Sequence, residues 1–599
     1  MFQAFRIVLA CVSESTVVQR ARVLTTMISR TLSLAYAAAL AIPAVQAAAP
    51  YCLAGESCFP DDAALASFNK TVSGALIKVV PYGAACYKAT YDADECKRIS
   101  DINEDNDYRQ SLPAGVMYTN MEQISEIGCP VPTPNENETA PAAIDSECTL
   151  GNMPSYVVNV TSTEQVAETV KFAAEHNLRL RIKNSGHDYT GRSSGAGALS
   201  IWTRHLTTTE AVSSFVPESC NSAGHDVVVA GSGVNVEELY NWGAESGQVT
   251  IGGYTTTVGA AGGYILGGGL GPLVPIYGLG VDNLLQIEVV TADGEVKIAN
   301  ACQNTDLFWA LRGGGGAFGV TTRIWLKSHP ALPAINTVAG AIGCQDYESY
   351  SRLIQNWVDN AVALRDSGHF GIWESEGASL GMQLINIIPF QSEEDIRSAN
   401  ETLEEVQSVV EVEGCTPVIK AAQFTGASSF NDAYQGVIWP VAQPGSLVGV
   451  NLQDHSRLVT YDAIANDDSR QAIIDSILAL PAEVPFIWQN NCGNEVTKIA
   501  KDATSVHPDW RDSFAFIDVP IFGPWSGTTA EQNATSADTD RNLTATYGTT
   551  QYYNEQYSSE NWQLDYFGAN YERLLQIKNS VDPNRVFNCP ECVGSEDGY

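Results

Sequence analysis

The chain has 599 residues, 44% of them hydrophobic and 17% charged. That is enough length and apolar content for two packed cores and too little charge for a disordered chain. Against 33 Lys plus Arg stand 69 Asp plus Glu, a net charge of −36, which argues against nucleic acid and anionic membranes as partners and fits solubility outside the cell.

The N-terminus is laid out as a targeting segment. Arg30 precedes an apolar run over residues 32–45 that ends in the small-residue pattern Val45-Gln46-Ala47, so residues 1–47 are expected to be a leader removed on secretion. Met27, directly before the run, is an alternative start. The run is too short, and too interrupted by Pro43, to read as a transmembrane anchor. Of 14 cysteines, Cys11 falls in the leader and six (Cys52, Cys58, Cys86, Cys96, Cys129, Cys148) crowd residues 48–149, a pattern of disulfide stapling in an oxidising compartment. The odd remainder implies one free thiol, and spacing does not give the pairing. Cys589 and Cys592, in C-P-E-C, read as a structural disulfide rather than a redox pair. Sequons at Asn69, Asn137, Asn159, Asn400, Asn533 and Asn542 predict a glycoprotein.

From residue 153 the texture changes. Residues 156–160 read as a strand, 164–177 as an amphipathic helix and 178–182 as a second strand, a βαβ-like unit that runs into a loop over residues 183–195. Strands follow at 199–202 and 226–230. The second of these leads to G-S-G over 231–233 and a helix over 236–242, half of a dinucleotide fingerprint with Val236 in the third glycine position, a weak signal by itself. A hairpin at Asp293-Gly294, a helix over 305–311 and a strand over 320–326 close this part. Past residue 330 the glycine density falls; helices are predicted over 348–365, 393–412 and 468–480 and a strand over 382–389, the texture of a second α+β domain. The expected fold class is α+β, with a leader (1–47), a cysteine-rich segment (48–149), a ligand-binding domain (150–330), a substrate domain with a sheet covered by helices (331–550) and a C-terminal segment returning to the first domain (551–599).

Nine glycines fall within residues 252–271. An interior glycine costs a regular element roughly 0.5–1 kcal/mol, so the block is expected to serve close approach of bare backbone to a pyrophosphate and a flat ring. Glycine-rich stretches at 183–195 and 312–319 accompany it, and one histidine, His187, stands between Gly186 and Asp188.

Several of these motifs, in this order, resemble one family. K-N-S-G-H-D-Y over 183–189, G-Y-I-L-G-G-G over 263–269, Y-G-L-G-V-D-N over 277–283, D-L-F-W-A-L-R-G-G-G-G over 306–316 and Y-F-G over 566–568 are similar to the FAD-linked oxidases of the vanillyl-alcohol-oxidase superfamily, with a PCMH-type FAD-binding domain. Within it the berberine-bridge-enzyme-like branch matches best, and the overall texture is most similar to fungal secreted isoamyl alcohol oxidases. The resemblance implies FAD covalently bound through the His187 imidazole to its 8α-methyl. It further implies that Lys183, Asn184, Ser185, Gly186, Asp188, Ser193, Thr256, Thr257, Val258, Gly259, Gly262, Gly263, Tyr264, Gly268, Gly269, Gly271, Tyr277, Gly278, Asp282, Asn283 and Asn554 surround the cofactor. Many relatives have a second tether, a cysteine in G-x-C-P-T-V-G. Here residues 253–259 read G-Y-T-T-T-V-G, with Thr255 or Thr256 in place of the thiol, so a single covalent link is expected.

The implied reaction is hydride transfer from a CH–OH group of an alcohol or sugar-like substrate to flavin N5, with O2 reduced to H2O2. An alcohol also needs a base within hydrogen-bond reach. Tyr553, in a segment that resembles the family's Tyr-x-Asn, is the first candidate; Asp454 and His455 are the others. A flavin dehydrogenase, an oxidative tailoring enzyme of secondary metabolism and a non-catalytic binding protein on the same fold remain alternatives. The scattered histidines lack metal-ligand spacing, so no metal is expected. The expected partners are a small-molecule substrate and O2, with no nucleic acid and no membrane.

Overall fold

The computed structural model describes residues 51–124, 127–132, 140–375, 377, 379–443, 446–596 and 598; the expected leader and the sequon at Asn137 lie outside the described residues. A first sheet contains β1 (Leu76–Lys78), β2 (Tyr156–Asn159), β3 (Leu180–Lys183) and β4 (Leu199–Trp202) in the order β1-β2-β4-β3. Both β2 and β3 run parallel to β4. A parallel arrangement needs a crossover, and the helix Thr163–Glu175 supplies it. The Ser162 side chain caps that helix by accepting from Gln165 N–H, and Val166, Val170 and Ala173 are buried on one face against Val158, Leu180 and Ile201. This is the predicted βαβ unit, and β3 delivers the chain directly to the His187 loop.

The second sheet is antiparallel. Its strands are β5 (Thr209–Phe215), β6 (His225–Gly231), β8 (Leu284–Val290), β9 (Val296–Asn300) and β10 (Val320–Lys327), in the order β5-β6-β10-β8-β9, while the short β7 (Gln248–Val249) and β11 (His329–Pro330) pair with each other. The predicted hairpin joins β8 to β9: Gly294 takes φ 74° at its tip, and the Asp293 carboxylate accepts from Glu295 N–H. The helix Val236–Ser246 opens with a capping box between Asn235 and Glu238 and stops at Gly247, at φ 67°.

A third, seven-stranded antiparallel sheet holds β12 (Ala334–Cys344), β13 (Phe370–Ser375), β14 (Gly381–Phe390), β15 (Cys415–Thr425), β16 (Asn451–Thr460), β17 (Ile487–Gln489) and β18 (Ser513–Gly523), in the order β15-β12-β14-β13-β17-β18-β16. The helices Tyr347–Asp366, Ala399–Val410, Asp467–Leu478 and Ala530–Tyr547 bury Trp357, Val406, Ile473 and Leu543 against Val338, Trp373, Trp488 and Ile517 of the sheet. The helix predicted over 393–412 is interrupted. Glu393–Asp395 forms a 3₁₀ turn, and the α-helix restarts at Ala399 because Ser398 and Glu401 close a capping box there. The architecture is α+β, as expected.

Twelve cysteines pair as Cys52–Cys58, Cys86–Cys96, Cys129–Cys148, Cys220–Cys302, Cys344–Cys415 and Cys589–Cys592, leaving Cys492 as the buried free thiol among the described residues. The C-P-E-C pair is therefore a disulfide. Among the described residues no helix is long and apolar enough to cross a membrane.

Candidate active site

A cavity of about 310 Å³ lies where the glycine-rich loops meet the third sheet. On the loop side, β3 ends at Lys183 and the chain turns through Gly186 at φ 97°, presenting His187 to the cavity. The loop is held from within by Asp188, whose carboxylate accepts from the N–H groups of Thr190, Gly191 and Ser193 and from the Ser193 hydroxyl. It is held from outside by the C-terminal segment: Thr190 Oγ1 donates to Gln556 O at 2.8 Å and Arg192 Nη1 to Tyr553 O at 2.6 Å.

His187 Nε2 lies 2.8 Å from Thr257 Oγ1, which donates onward to Asn106 Oδ1 at 3.4 Å. With the hydroxyl proton directed at Asn106, Nε2 carries the ring proton and Nδ1 is left with its lone pair. Burial, aided by the nearby Lys183 charge, pushes the imidazole down to about 3, so the ring is neutral. Burial likewise lowers the Lys183 ammonium to about 7. Its Nζ donates to Leu112 O at 2.7 Å and lies 5.0 Å from the Trp202 ring centre.

The cavity wall includes Asn184, Ser185, Gly186, His187, Asp188, Ser193, Val258, Gly259, Gly262, Gly263, Tyr264 and Asn554 from the expected cofactor set. At Gly263 nothing stands within 4 Å of where a Cβ would be, so bare backbone faces the space. Asn184 Oδ1 and Tyr264 Oη are buried without hydrogen-bond partners, although both residues line the cavity. Neutral imidazole, bare glycine backbone and unspent polar atoms fit a nucleotide cofactor.

The remaining members of that set stand behind the wall. Lys183 is engaged as described, and Thr257 reaches the site only through His187. Thr256 is buried while Thr255, the other expected replacement for the thiol, lines the cavity with its hydroxyl 3.0 Å from Ser446 Oγ. Gly268, Gly269 and Gly271 serve chain packing: a Cβ on Gly271 would sit 1.9 Å from Gly252 O, and Gly268 O and Gly269 O accept from Val281 and Gly280 N–H. Tyr277 stacks on His329 at 3.7 Å. Beside Gly278, Asp282 takes both guanidinium nitrogens of Arg511 at 2.8 Å, and Asn283 donates to Tyr277 O and Leu279 O. These side chains brace the loop from outside the cavity.

The opposite wall is one face of the third sheet. Side chains alternate along a strand, so on β16 Leu452 and Asp454 face the cavity while Gln453, His455 and Arg457 point to the helix Ala530–Tyr547. There His455 Nε2 lies 2.7 Å from Ser536 Oγ and Arg457 donates to Asp540 Oδ1. His455 is thus turned away from the space that Asp454 enters. Tyr553 lines the cavity, but its hydroxyl is spent on Cys592 Sγ at 3.4 Å, and Arg192 stacks on its ring at 3.8 Å. Burial raises its pKa against the opposing pull of Arg192.

Asp518 of β18 and Glu555 line the same wall, and neither is singled out by the motif reading. Burial pushes Asp454 up to about 7. Burial and the Asp454 charge push Glu555 up to about 8, and burial with both neighbouring acids raises Asp518 well above the carboxylate range. Two signals were present: Glu555 follows Asn554 directly, and Asp518 is the one acid in the otherwise apolar run over 513–523. A buried acid in such a run needs a reason. Of the sequons, Asn400 and Asn533 are exposed and Asn69, Asn159 and Asn542 half-buried; the Asn542 amide nitrogen donates to Ser476 O.

Glycine loops around a single neutral histidine, opposite a sheet that supplies acids, fit a flavoprotein oxidoreductase. Comparison with known proteins gives the family. Residues 154–300 match the FAD binding domain family, and residues 547–594 match the berberine and berberine-like family. An uncharacterised FAD-linked oxidoreductase of Arthroderma benhamiae is 31% identical over 564 residues, covering 91% of this chain and 94% of that protein. The crystal structure of the VAO-type flavoprotein MtVAO615 from Myceliophthora thermophila C1 superimposes with a TM-score of 0.77 at 29% identity, over 92% of this chain and 98% of that one. Glucooligosaccharide oxidase from Acremonium strictum, with a 6-S-cysteinyl, 8α-N1-histidyl FAD, shares the fold at a TM-score of 0.59 and 19% identity, over 74% of this chain and 91% of its own. The chain belongs to the FAD-linked oxidoreductases of the VAO type with a berberine-bridge-like C-terminal segment, and it is an FAD-dependent enzyme.

Proposed function

We propose that this enzyme is a secreted oxidase that holds FAD by one covalent bond to His187 and oxidises a CH–OH group of an alcohol or sugar-like molecule. The observation that carries the reading is a single cavity with His187 and bare glycine backbone on one side and Asp454 on the other. FAD held there would supply a two-electron acceptor for the substrate's hydride, with O2 as the final oxidant and H2O2 as its product.

The chain's own residues divide the remaining work. Asn184, Ser185, Gly186, Ser193, Gly259, Gly262, Gly263, Tyr264 and Asn554 would hold the cofactor, which the bare backbone at Gly263 and the unpaired Asn184 Oδ1 and Tyr264 Oη face. The Thr257–Asn106 chain keeps the proton on Nε2 and leaves Nδ1 for the bond. Thr255 at the wall offers no thiol, so the tether is single. Asp454 is the base that takes the hydroxyl proton; its raised pKa places it near neutrality, where a general base works best. Tyr553 positions Arg192 and the His187 loop rather than moving a proton. Residues 150–330 with 551–599 form the FAD-binding part and 331–550 the substrate part. The disulfides, the acidic surface and the exposed sequons Asn400 and Asn533 support secretion as a glycoprotein.

Two measurements test this. Acid precipitation of the purified protein is expected to give a yellow pellet, and the His187→Ala variant a colourless one with its flavin in the supernatant; a colourless wild-type pellet overturns the tether. A panel of alcohols and sugars is expected to release H2O2 under air. Turnover with an artificial electron acceptor but no peroxide would make the enzyme a dehydrogenase.

A further inference from the structure

We propose that the cavity carries a subsite for an organic cation, so that the substrate is a molecule whose positively charged nitrogen lodges against Asp518 and Glu555, beside the base Asp454, while its apolar body lies toward Leu447 and Phe522. The proposal rests on the reading that this cavity takes the substrate, and not on which bond is oxidised.

The first observation is unspent acceptor capacity. Asp454 and Asp518 are each 4% exposed, yet Asp454 Oδ1 and Asp518 Oδ1 have no hydrogen-bond partner, and both residues line the cavity. Gln489 Nε2 donates to the other oxygen of Asp518 at 3.0 Å. A buried acceptor left unpaired costs about 1–3 kcal/mol, which a ligand bringing donors and positive charge removes.

The second observation is the charge that faces this wall from each element around it. Glu374 on β13, Tyr118 and Tyr189 also line the cavity with Asp454 on β16, Asp518 on β18 and Glu555, and the two tyrosine rings lie 4.7 Å apart. Across the cavity His187 is neutral. Of the two arginines of the wall, Arg192 gives Nε to Pro590 O and Nη1 to Tyr553 O while its Nη2 stays unpaired, and Arg181 Nε donates to Ser194 O. Burial and neighbouring acids, with no neighbouring cation, set the shifts of Asp454, Asp518 and Glu555.

The third observation is spacing and mouth. Among the described residues the only three ligating side chains within 4.8 Å of one another are Cys52, Glu56 and Cys58, and two of those sulfurs are bonded to each other. The cavity acids thus stand too far apart to close on a metal ion at its usual 2.0–2.6 Å, whereas an organic cation several ångström across spans them. Leu447 and Phe522 line the cavity and are 41% and 38% exposed, an apolar entrance suited to an amphiphilic guest.

Proton linkage gives the proposal a signature. Without a cation, burial, joined at Glu555 by the Asp454 charge, keeps protons on this wall, with Asp454 at about 7 and Glu555 at about 8. A bound cation favours the carboxylates, so below these values binding releases protons, and affinity climbs as pH rises through the window.

The test is calorimetric titration of the holoenzyme with phenyltrimethylammonium and with its uncharged isostere tert-butylbenzene, neither of which carries a CH–OH group. At about pH 8.5, above both values, the cation is expected to bind roughly tenfold tighter. At about pH 5.5 the preference should shrink, and buffers of different ionisation enthalpy should reveal proton release. Asp518→Asn and Glu555→Gln should each reduce the preference while tert-butylbenzene binding stays unchanged. Equal binding of the two probes at the higher pH, or a preference untouched in both variants, overturns the subsite. A peroxide panel that fails on every alcohol while the cation preference stands would remove the CH–OH reading alone.

Discussion

The two walls of the cavity are built on opposite principles. The loop wall is backbone: its glycines lie close together in sequence, and what they present is mostly N–H and the absence of side chains. The sheet wall is side chains, and its acids come from β16, β18 and the C-terminal segment, brought together only when β16 pairs with β18 with Ser456 opposite Asp518. The first wall is specified locally and fits a cofactor that relatives share; the second is specified by register and can change one residue at a time. In the proposed reading, substrate choice therefore falls to the sheet.

The largest effect that sharpens this contrast is expected from Asp454→Asn. If the sheet wall carries the proton transfer, kcat falls by about 10²- to 10⁴-fold, the usual contribution of a general base, while the flavin stays attached and its spectrum unchanged. The same substitution should alter stability with pH. The acids are held above their unfolded values near 4, so they contribute stability that is full below about pH 4 and lost as pH rises through about 7 to 8. The variant lacks one of these groups and should lose less melting temperature than the wild type between pH 4 and pH 8. Thermal unfolding at those two pH values reads the difference, and an unchanged kcat would return the base to another residue.

This asymmetry also explains what could be read from sequence. The βαβ unit, the hairpin at Gly294, the His187 loop and the glycine block all announce themselves through period or composition within some twenty residues. β16 does not. Residues 451–457 read N-L-Q-D-H-S-R and are all buried, because their outward side chains meet polar partners on the helix Ala530–Tyr547 instead of water. A strand buried among polar groups has no hydropathic alternation to detect. Asp454 and His455 therefore read as equivalent neighbours, although the pleat sends them to opposite sides. Within the glycine block the error ran the other way: glycines required by chain crossing at 268–271 carry the same composition signal as Gly263, which faces the cavity.

That ambiguity can be broken by a matched pair of intermediate size. Gly271→Ala places a Cβ 1.9 Å from Gly252 O, a backbone clash that should cost about 1–3 kcal/mol of stability, lowering the denaturation midpoint in urea while whatever protein folds still holds flavin. Gly263→Ala meets nothing within 4 Å in the protein. It should leave the midpoint of the flavin-free protein unchanged and yet reduce flavin content, because the added methyl enters the cofactor's space. Equal stability losses in the two variants would mean that Gly263 is packing backbone as well.

The smallest effect is predicted for Tyr553→Phe. The Tyr553 ring takes the Arg192 guanidinium at 3.8 Å and its backbone carbonyl takes Arg192 Nη1, and both contacts survive loss of the hydroxyl. What is lost is the contact with Cys592 Sγ at 3.4 Å, a weak bond to sulfur in a buried site. Since burial holds the phenol above its ordinary pKa, the hydroxyl is a poor proton acceptor at neutral pH, and kcat should stay within about threefold of wild type, a change under ~1 kcal/mol. A hundredfold fall with flavin content intact would instead put the base on the cofactor's side of the cavity and leave the sheet acids with binding alone.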